Sequence, residues 1–316
     1  MKENQKVAER SRSHGKLLLS GEYFVLDGAK ALAVPTKYGQ DLVVEPINEP
    51  QLIWQSFSDK GECWLEATFN LPKLRLTNAT YDSGEDGGKD TVAENLREIL
   101  LETRKLNPAF LNSKGGFLVK TNLDFPKNWG LGTSSTLINN ISNWAKVNPY
   151  KLLKNTFGGS GYDIACAQHN APILFTKHNT EIVVEEVNFN LTFIDQLYFV
   201  HLNKKQNSRE GIERYKKLKG NLTSELKQIS ELSEAFLICE KLEDFEKLMK
   251  EHELIVSKTI QLKLIQAELF PDYFGQTKSL GAWGGDFILA TGNEDTPNYF
   301  NQKGFSTVIP FKEMVL

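Results

Sequence analysis

Short apolar and β-branched runs broken by glycines dominate the first part of the chain. Residues 16–46, KLLLSGEYFVLDGAKALAVPTKYGQDLVVEP, predict strand, turn, strand, turn and strand, with Gly21, Gly28 and Gly39 as punctuation. QLIWQSF (51–57) and CWLEATF (63–69) predict two more strands. The polar stretch 81–90 reads as a loop, and Asp90 or Thr91 as the cap of a helix over 91–106. A strand over 115–126 leads to NWGLGTSST, and short helices are expected at 137–146 and 149–155. PILFTK, TEIVVEEV and LTFIDQLYFVHL read as strands. A largely helical region over 208–268 follows, then a glycine-rich turn, a strand, and a last strand in GFSTVIPF. The shift from strand-rich to helix-rich sequence suggests two domains, 1–190 and 191–316.

Composition narrows the function classes. The 316 residues are 40% hydrophobic and 24% charged, with a formal net charge of −3. A dedicated nucleic-acid binder is usually basic, so a small molecule or another protein is the expected partner. The three cysteines, Cys63, Cys166 and Cys239, are scattered and show no C-x-x-C spacing. Neither a disulfide framework nor a structural zinc site is expected, and a reducing cytoplasm fits. The polar first residues lack the apolar core of a secretory signal, and no apolar run approaches a membrane span. The N-x-T sequons at Asn78, Asn190 and Asn221 then read as chance matches.

Candidate chemistry lies in the glycine loops. In GLGTSST, Gly130, Leu131, Gly132, Thr133, Ser134 and Ser135 stand before a helix-like run. A helix N-terminus exposes unpaired N–H groups at the positive end of its dipole, and glycines let an anion approach the backbone. The loop could cradle phosphate; it could equally be a strand–turn–helix junction capped by Ser or Thr. Lys16, at the expected start of a strand, could hold a phosphate or favour a substrate alkoxide, or be a solvated edge lysine. KSLGAWGGDF (278–287) could close over phosphates or form a bulged hairpin. In GGSGYDIA, Asp163 follows a glycine–serine loop, as a reacting carboxylate or a helix cap.

Together and in this order, the four segments resemble the motifs of the GHMP kinases, which include galactokinase, homoserine kinase, mevalonate kinase and phosphomevalonate kinase. HGKLLLSGEYFVLDG (14–28) is similar to the first motif, with His14 in place of proline; GLGTSST (130–136) is similar to the second. GAWGG (281–285) is similar to the third, with Trp283 in place of glycine, and SGYDIA (160–165) to the aspartate motif. The resemblance implies an α+β, two-domain fold: an N-terminal domain like domain 2 of ribosomal protein S5 and a ferredoxin-like C-terminal domain, with ATP and substrate between them. It implies that residues 130–135 hold ATP phosphates, that Ser134 helps hold Mg²⁺, and that Asp163 acts as base or orients the acceptor hydroxyl. Lys16, close to both, would stabilise transition-state charge. Substrate contacts are implied for Lys16, Glu22, Tyr23, Ser208, Gly281, Ala282 and Gly284. Glu22-Tyr23 and the glycines before Asp286 look like phosphomevalonate kinase, and 160–163 look like mevalonate kinase. GYDIA (161–165) also resembles a group of Bacteroidetes GHMP kinases named for that sequence.

The expectation is therefore an ATP- and Mg²⁺-dependent cytoplasmic kinase, monomeric or homodimeric, acting on mevalonate or 5-phosphomevalonate without nucleic-acid or membrane partners. One departure bears on the metal. Mevalonate kinase carries an Mg²⁺-binding glutamate between the second motif and the aspartate, whereas nothing acidic lies between Thr133 and Tyr162 here. That departure, with Trp283, leaves open a GHMP-fold protein that binds ligand without phosphorylating it. Diphosphomevalonate decarboxylase is a third reading, although its phosphate loop usually reads A-S-S-A-S. Lys204, Lys205 and Arg209 could reach a phosphorylated substrate or form a solvated helix face with a Glu210–Arg214 pair. His14 could contact substrate or pack; His169, His178, His201 and His252 lack ligand spacing and read as structural or exposed.

Overall fold

The computed structural model describes residues 8–81, 89–112, 114–179 and 181–316. The chain forms two compact units. One comprises residues up to Gly15 with Tyr38–Lys127 and Gly132–Gln168; the other comprises Lys16–Lys37, Asn128–Leu131 and His169–Leu316. These are not the contiguous halves expected from a split near 190, because segments of the first motif and of the glycine loop fold with the second unit.

Two strands run through both units: β1 (Glu9–Ser20) and β2 (Ala31–Ile47), which pair with each other. β1 begins well before the apolar run, so Lys16 lies inside a strand rather than at its start. β2 is continuous where a turn is expected at Gly39. A Cβ at Gly39 would lie 2.4 Å from the Ser13 carbonyl oxygen, so this glycine serves a close approach of backbone and not a turn.

In the first unit β2 continues a sheet with β3 (Gln51–Phe57), β4 (Cys63–Asn70), β5 (Arg75–Tyr81) and β6 (Gly116–Leu123), in the order β5-β4-β3-β6-β2. β3 and β6 are parallel and the other neighbours antiparallel. β3, and β4 between its exposed ends, alternate between buried and half-exposed positions, the mark of a sheet with one packed face. β5 has no such pattern, since its RLTNATY is mostly exposed; hydrophobic periodicity gives no sign of it. Four helices accompany the sheet: α1 (Lys89–Leu106), α2 (Thr133–Ala145), α3 (Pro149–Thr156) and α4 (Tyr162–Gln168). Leu52, Trp54, Phe69 and Val119 of the sheet pack with Leu96, Leu100, Ile138 and Ile141 of the helices. Most of the loop expected ahead of α1 lies outside the described residues. α1 starts at Lys89, so neither Asp90 nor Thr91 stands outside it as a cap.

In the second unit Ala31–Ala33 of β2 pair antiparallel with β7 (Ile173–His178), which pairs with β8 (Glu181–Glu186). A separate antiparallel sheet contains β9 (Leu197–His201), β10 (Thr277–Ser279), β11 (Phe287–Thr291) and β12 (Val308–Pro310), in the order β10-β11-β9-β12. The helices are α5 (Ser208–Leu218), α6 (Thr223–Leu237), α7 (Leu242–Ile260), α8 (Ile265–Leu269), α9 (Thr296–Gln302) and α10 (Phe311–Met314). Tyr23, Phe24, Tyr215, Ile229, Val256 and Trp283 form one core of this unit. Among the described residues no helix is long and apolar enough to cross a membrane.

Candidate active site

In the first unit, the hydroxyl-rich segment of the second motif is the opening turn of α2, four residues earlier than the helix expected at 137. Gly132 precedes it with φ 96°, a left-handed conformation that glycine adopts without steric cost, and no side chain caps the helix. The Ser135 hydroxyl donates to the Gly132 carbonyl at 2.8 Å, and Thr136 Oγ1 donates to Gln40 Oε1 at 2.8 Å. These two hydroxyls turn back into the protein, while Ser134 is exposed. The Ser135 hydroxyl is therefore engaged within the turn itself.

Gly158, Gly159 and Gly161, all at positive φ, bring the chain round into α4. Asp163 stands in the first turn of α4, half-buried, with Oδ1 accepting from the Ile164 N–H at 3.0 Å. α4 packs on α2, and Gln168 Nε2 donates to Asn139 Oδ1 at 3.0 Å. Nearby Tyr150 has its hydroxyl pushed up to about 12, by burial first and then by the charges of Cys166 and Asp163. Residues 133–136 of the second motif and the aspartate motif thus meet on two packed helices of one unit. His14 Nδ1 is buried without a hydrogen-bond partner.

The second unit assembles the other motifs. The Lys16 ammonium donates to the Gly130 carbonyl at 2.8 Å, and the Lys16 backbone N–H donates to the Leu131 carbonyl at 2.9 Å. Leu131 itself is fully buried. His201 Nδ1 accepts from the Asn203 N–H at 3.3 Å, which leaves Nε2 as donor to the Asn128 carbonyl at 3.1 Å. Trp129 stacks edge-on against Phe287. The first half of the glycine loop is therefore clamped to β1 and to the sheet of β9 and β11.

Glu22 and Tyr23, expected at the substrate, are turned inward. Glu22 is fully buried; Lys278 Nζ lies 2.5 Å from its Oε1, His252 Nε2 lies 3.1 Å from its Oε2, and the Gly281 N–H donates to it. Burial pushes Glu22 up and the Lys278 charge opposes that shift. His252 Nε2 accepts from the Gly21 N–H at 3.0 Å, and burial, reinforced by the Lys278 charge, holds the imidazole neutral. Glu253, also buried, accepts from the Ser279 N–H and is pushed up to about 8, chiefly by burial. The Tyr23 hydroxyl accepts from the Trp283 N–H at 3.1 Å, and its ring stacks on Tyr215 at 5.6 Å. A Cβ at Gly211 would lie 2.6 Å from that hydroxyl oxygen. Glu22 and Tyr23 thus tie the first motif to the third.

The third motif is the connection between β10 and β11, with Gly281, Gly284 and Asp286 all at positive φ. Ala282 is buried and Gly284 exposed. Trp283 is 3% exposed within the core, so the residue that departs from the family pattern fills space between helices. Ser208 is exposed at the first position of α5, behind an Asn207 cap. The expected Glu210–Arg214 pair is replaced. Asn207 Nδ2 donates to Glu210, and Arg214 donates to the Ile260 and Gln261 carbonyls at the end of α7. Lys278, Glu253 and His252 carry no sequence signal, because a buried ion-pair network has no periodicity of its own. A surface cleft of about 490 Å³ lined by Glu98, Leu101, Glu102, Arg104, Lys105, Pro108, Asn155 and Thr156 contains no motif residue.

Comparison with protein-family models and with curated protein sequences found no match. Solved structures do match. Methanococcus jannaschii mevalonate kinase aligns with TM-score 0.67 and 17% identity, over 95% of each chain. Streptococcus pneumoniae phosphomevalonate kinase in complex with phosphomevalonate and AMPPNP aligns with TM-score 0.62 and 17% identity, over 93% of this chain and 95% of that one. Staphylococcus aureus mevalonate diphosphate decarboxylase aligns with TM-score 0.57 and 12% identity, over 94% and 91%. With this breadth of coverage, the chain has the GHMP kinase fold.

Proposed function

We propose that this protein is an ATP-dependent kinase that transfers the γ-phosphoryl group to the hydroxyl of mevalonate or 5-phosphomevalonate. The observation that carries the reading is the opening of α2. Its first N–H groups follow a left-handed Gly132 with no side-chain cap, a geometry suited to phosphate oxygens. The other motifs follow the kinase order along the chain. Residues 130–135 hold the ATP phosphates, mainly through backbone N–H groups. Asp163 takes or orients the acceptor proton, and Lys16 stabilises charge on the oxygens in transit. Gly281, Ala282, Gly284 and Ser208 border the acceptor, while Glu22 and Tyr23 hold the third motif in place for it.

Among the described residues no group of three or more His, Cys, Asp or Glu could hold a metal ion. Mg²⁺ keeps several waters and is commonly bound through substrate phosphates, so one exposed hydroxyl, Ser134, fits it. Neutralisation of charge on the β- and γ-oxygens would come from Mg²⁺ held by Ser134, phosphate and water.

The test is ADP release from Mg-ATP with mevalonate, 5-phosphomevalonate, diphosphomevalonate, homoserine and galactose, each supplied separately. Turnover with one of the first two is expected, and Asp163→Ala should lower kcat by roughly 10²–10⁴-fold while nucleotide affinity persists. Silence with both mevalonate compounds, beside an active reference kinase, would remove the assignment. The sparse metal ligation favours one second reading, a protein that binds ligand without turnover; calorimetric binding without phosphate transfer over hours would support it. Release of CO₂ from diphosphomevalonate would instead identify a decarboxylase.

A further inference from the structure

Asp286 lies at the end of the third motif, and the role given to Lys16 above does not involve it. Its backbone is left-handed, with φ 52°. Two backbone bonds pin it there: its N–H donates to the Lys204 carbonyl at 2.7 Å, and its carbonyl accepts from the Leu202 N–H at 2.8 Å. The side chain is fixed as well, since Oδ1 accepts from the Gln206 N–H at 3.1 Å. Held at these points, the carboxylate lies flat against Gly130. A Cβ there would stand 2.3 Å from its Cγ. The carbonyl of that same glycine receives the Lys16 ammonium.

A carboxylate aimed at a phosphate-binding loop is unfavourable unless a cation stands between them. The basic side chains that act on Asp286 are Lys16 from β1, His201 from β9 and Lys205 from the segment before α5. Burial pushes the Asp286 carboxyl up; Lys16 is the strongest opposing influence, ahead of the Gln206 N–H and the other two basic groups. Lys205 is exposed, and the His201 imidazole is committed to Asn128 and Asn203, which leaves Lys16 as the cation best placed over Gly130.

We propose that Asp286 is a positioning residue for Lys16, holding the ammonium over Gly130 so that it meets the transferred phosphoryl group already oriented. The catalytic consequence rests on the kinase reading; the coupling between the two side chains does not. Pre-orientation removes the entropy of ordering a long, flexible side chain during the reaction. The same contact explains why position 130 carries no side chain.

Asp286→Asn keeps the shape of the side chain and the acceptor for Gln206 while removing the charge. The expected result is a kcat lowered by roughly ten- to a hundredfold, with the KM for ATP nearly unchanged. A second readout needs no turnover. The ¹H–¹⁵N signal of the Lys16 ammonium, assigned by its loss in Lys16→Gln, should be visible in the parent protein and lost in Asp286→Asn. In Lys16→Gln the Asp286 carboxyl carbon should titrate at higher pH than in the parent protein, because a favourable cation has gone. An unchanged kcat with an unchanged ammonium signal would overturn the proposal. So would an Asp286 titration that ignores Lys16→Gln, which decides the matter if Asp286→Asn does not fold. If the parent protein phosphorylates no acceptor, the kinase reading fails, and the two spectroscopic measurements still judge the coupling.

Discussion

Glu253 shows what a single buried group does to the molecule. Its carboxyl is fully enclosed beside Glu22, Lys278 and His252, and is pushed from an ordinary value of 4.5 to about 8. In the unfolded chain it ionises above its ordinary value; in the folded chain it stays protonated until about pH 8. The native state therefore binds the extra proton across that window. The contribution to stability is full below pH 4.5, declines as pH rises to about 8, and is then gone. Glu253→Gln keeps an acceptor for the Ser279 N–H and removes the ionisation. Thermal unfolding should find the variant close to the parent below pH 4.5 and more stable at pH 8, by on the order of a few kcal/mol. Equal separation of the two proteins at both pH values would refute this. The residue types of the first motif were legible from sequence; the direction in which they face was not. Glu22 and Tyr23 look like ligand contacts in a row of letters, yet their partners Lys278 and Trp283 lie more than 250 positions away.

At the scale of elements, local pattern served well where one face of an element is buried. β3, β4, α1 and α3 lie within a few residues of their expected positions because alternation and a Pro149 start are local signals. Pattern misled where a residue type has two uses. Thr133 to Thr136 read as loop because hydroxyl residues favour caps and turns, but a first helical turn accepts them as well. Gly39 read as a turn because glycine punctuates chains, but here it makes room for the Ser13 carbonyl. That assignment has a direct check. Gly39→Ala should destabilise the protein by about 1–3 kcal/mol in urea unfolding, the usual cost of overpacking. Gly220→Ala, where an added Cβ meets nothing within 4 Å, should be close to neutral. Equal effects at both glycines would count against the close-approach reading.

At the scale of the whole molecule, the fold is shared by proteins named as kinases and by one named as a decarboxylase. Fold alone therefore does not choose the reaction. Ligand binding does report on it, because a ligand that binds only the native state raises global stability. Mg-ATP at about 100 times its Kd should add ~2.7 kcal/mol to unfolding. ATP without Mg²⁺ should add less, and Ser134→Ala should narrow the difference between the two. No thermal shift at millimolar nucleotide would argue against any ATP-dependent reading.

By itself the sequence determined most strands and helices and the order of the four motifs, since each is written in short stretches whose chemistry is local, and the α+β class followed from the resemblance those motifs carry. The tertiary structure decided that segments 16–37 and 128–131 fold with the C-terminal part of the chain. It also decided that Trp283 fills a core and that Asp286 lies against Gly130. Such facts depend on which distant residue supplies a partner, a charge or a void, and a hydrophobic pattern read along one strand or helix contains no record of that choice.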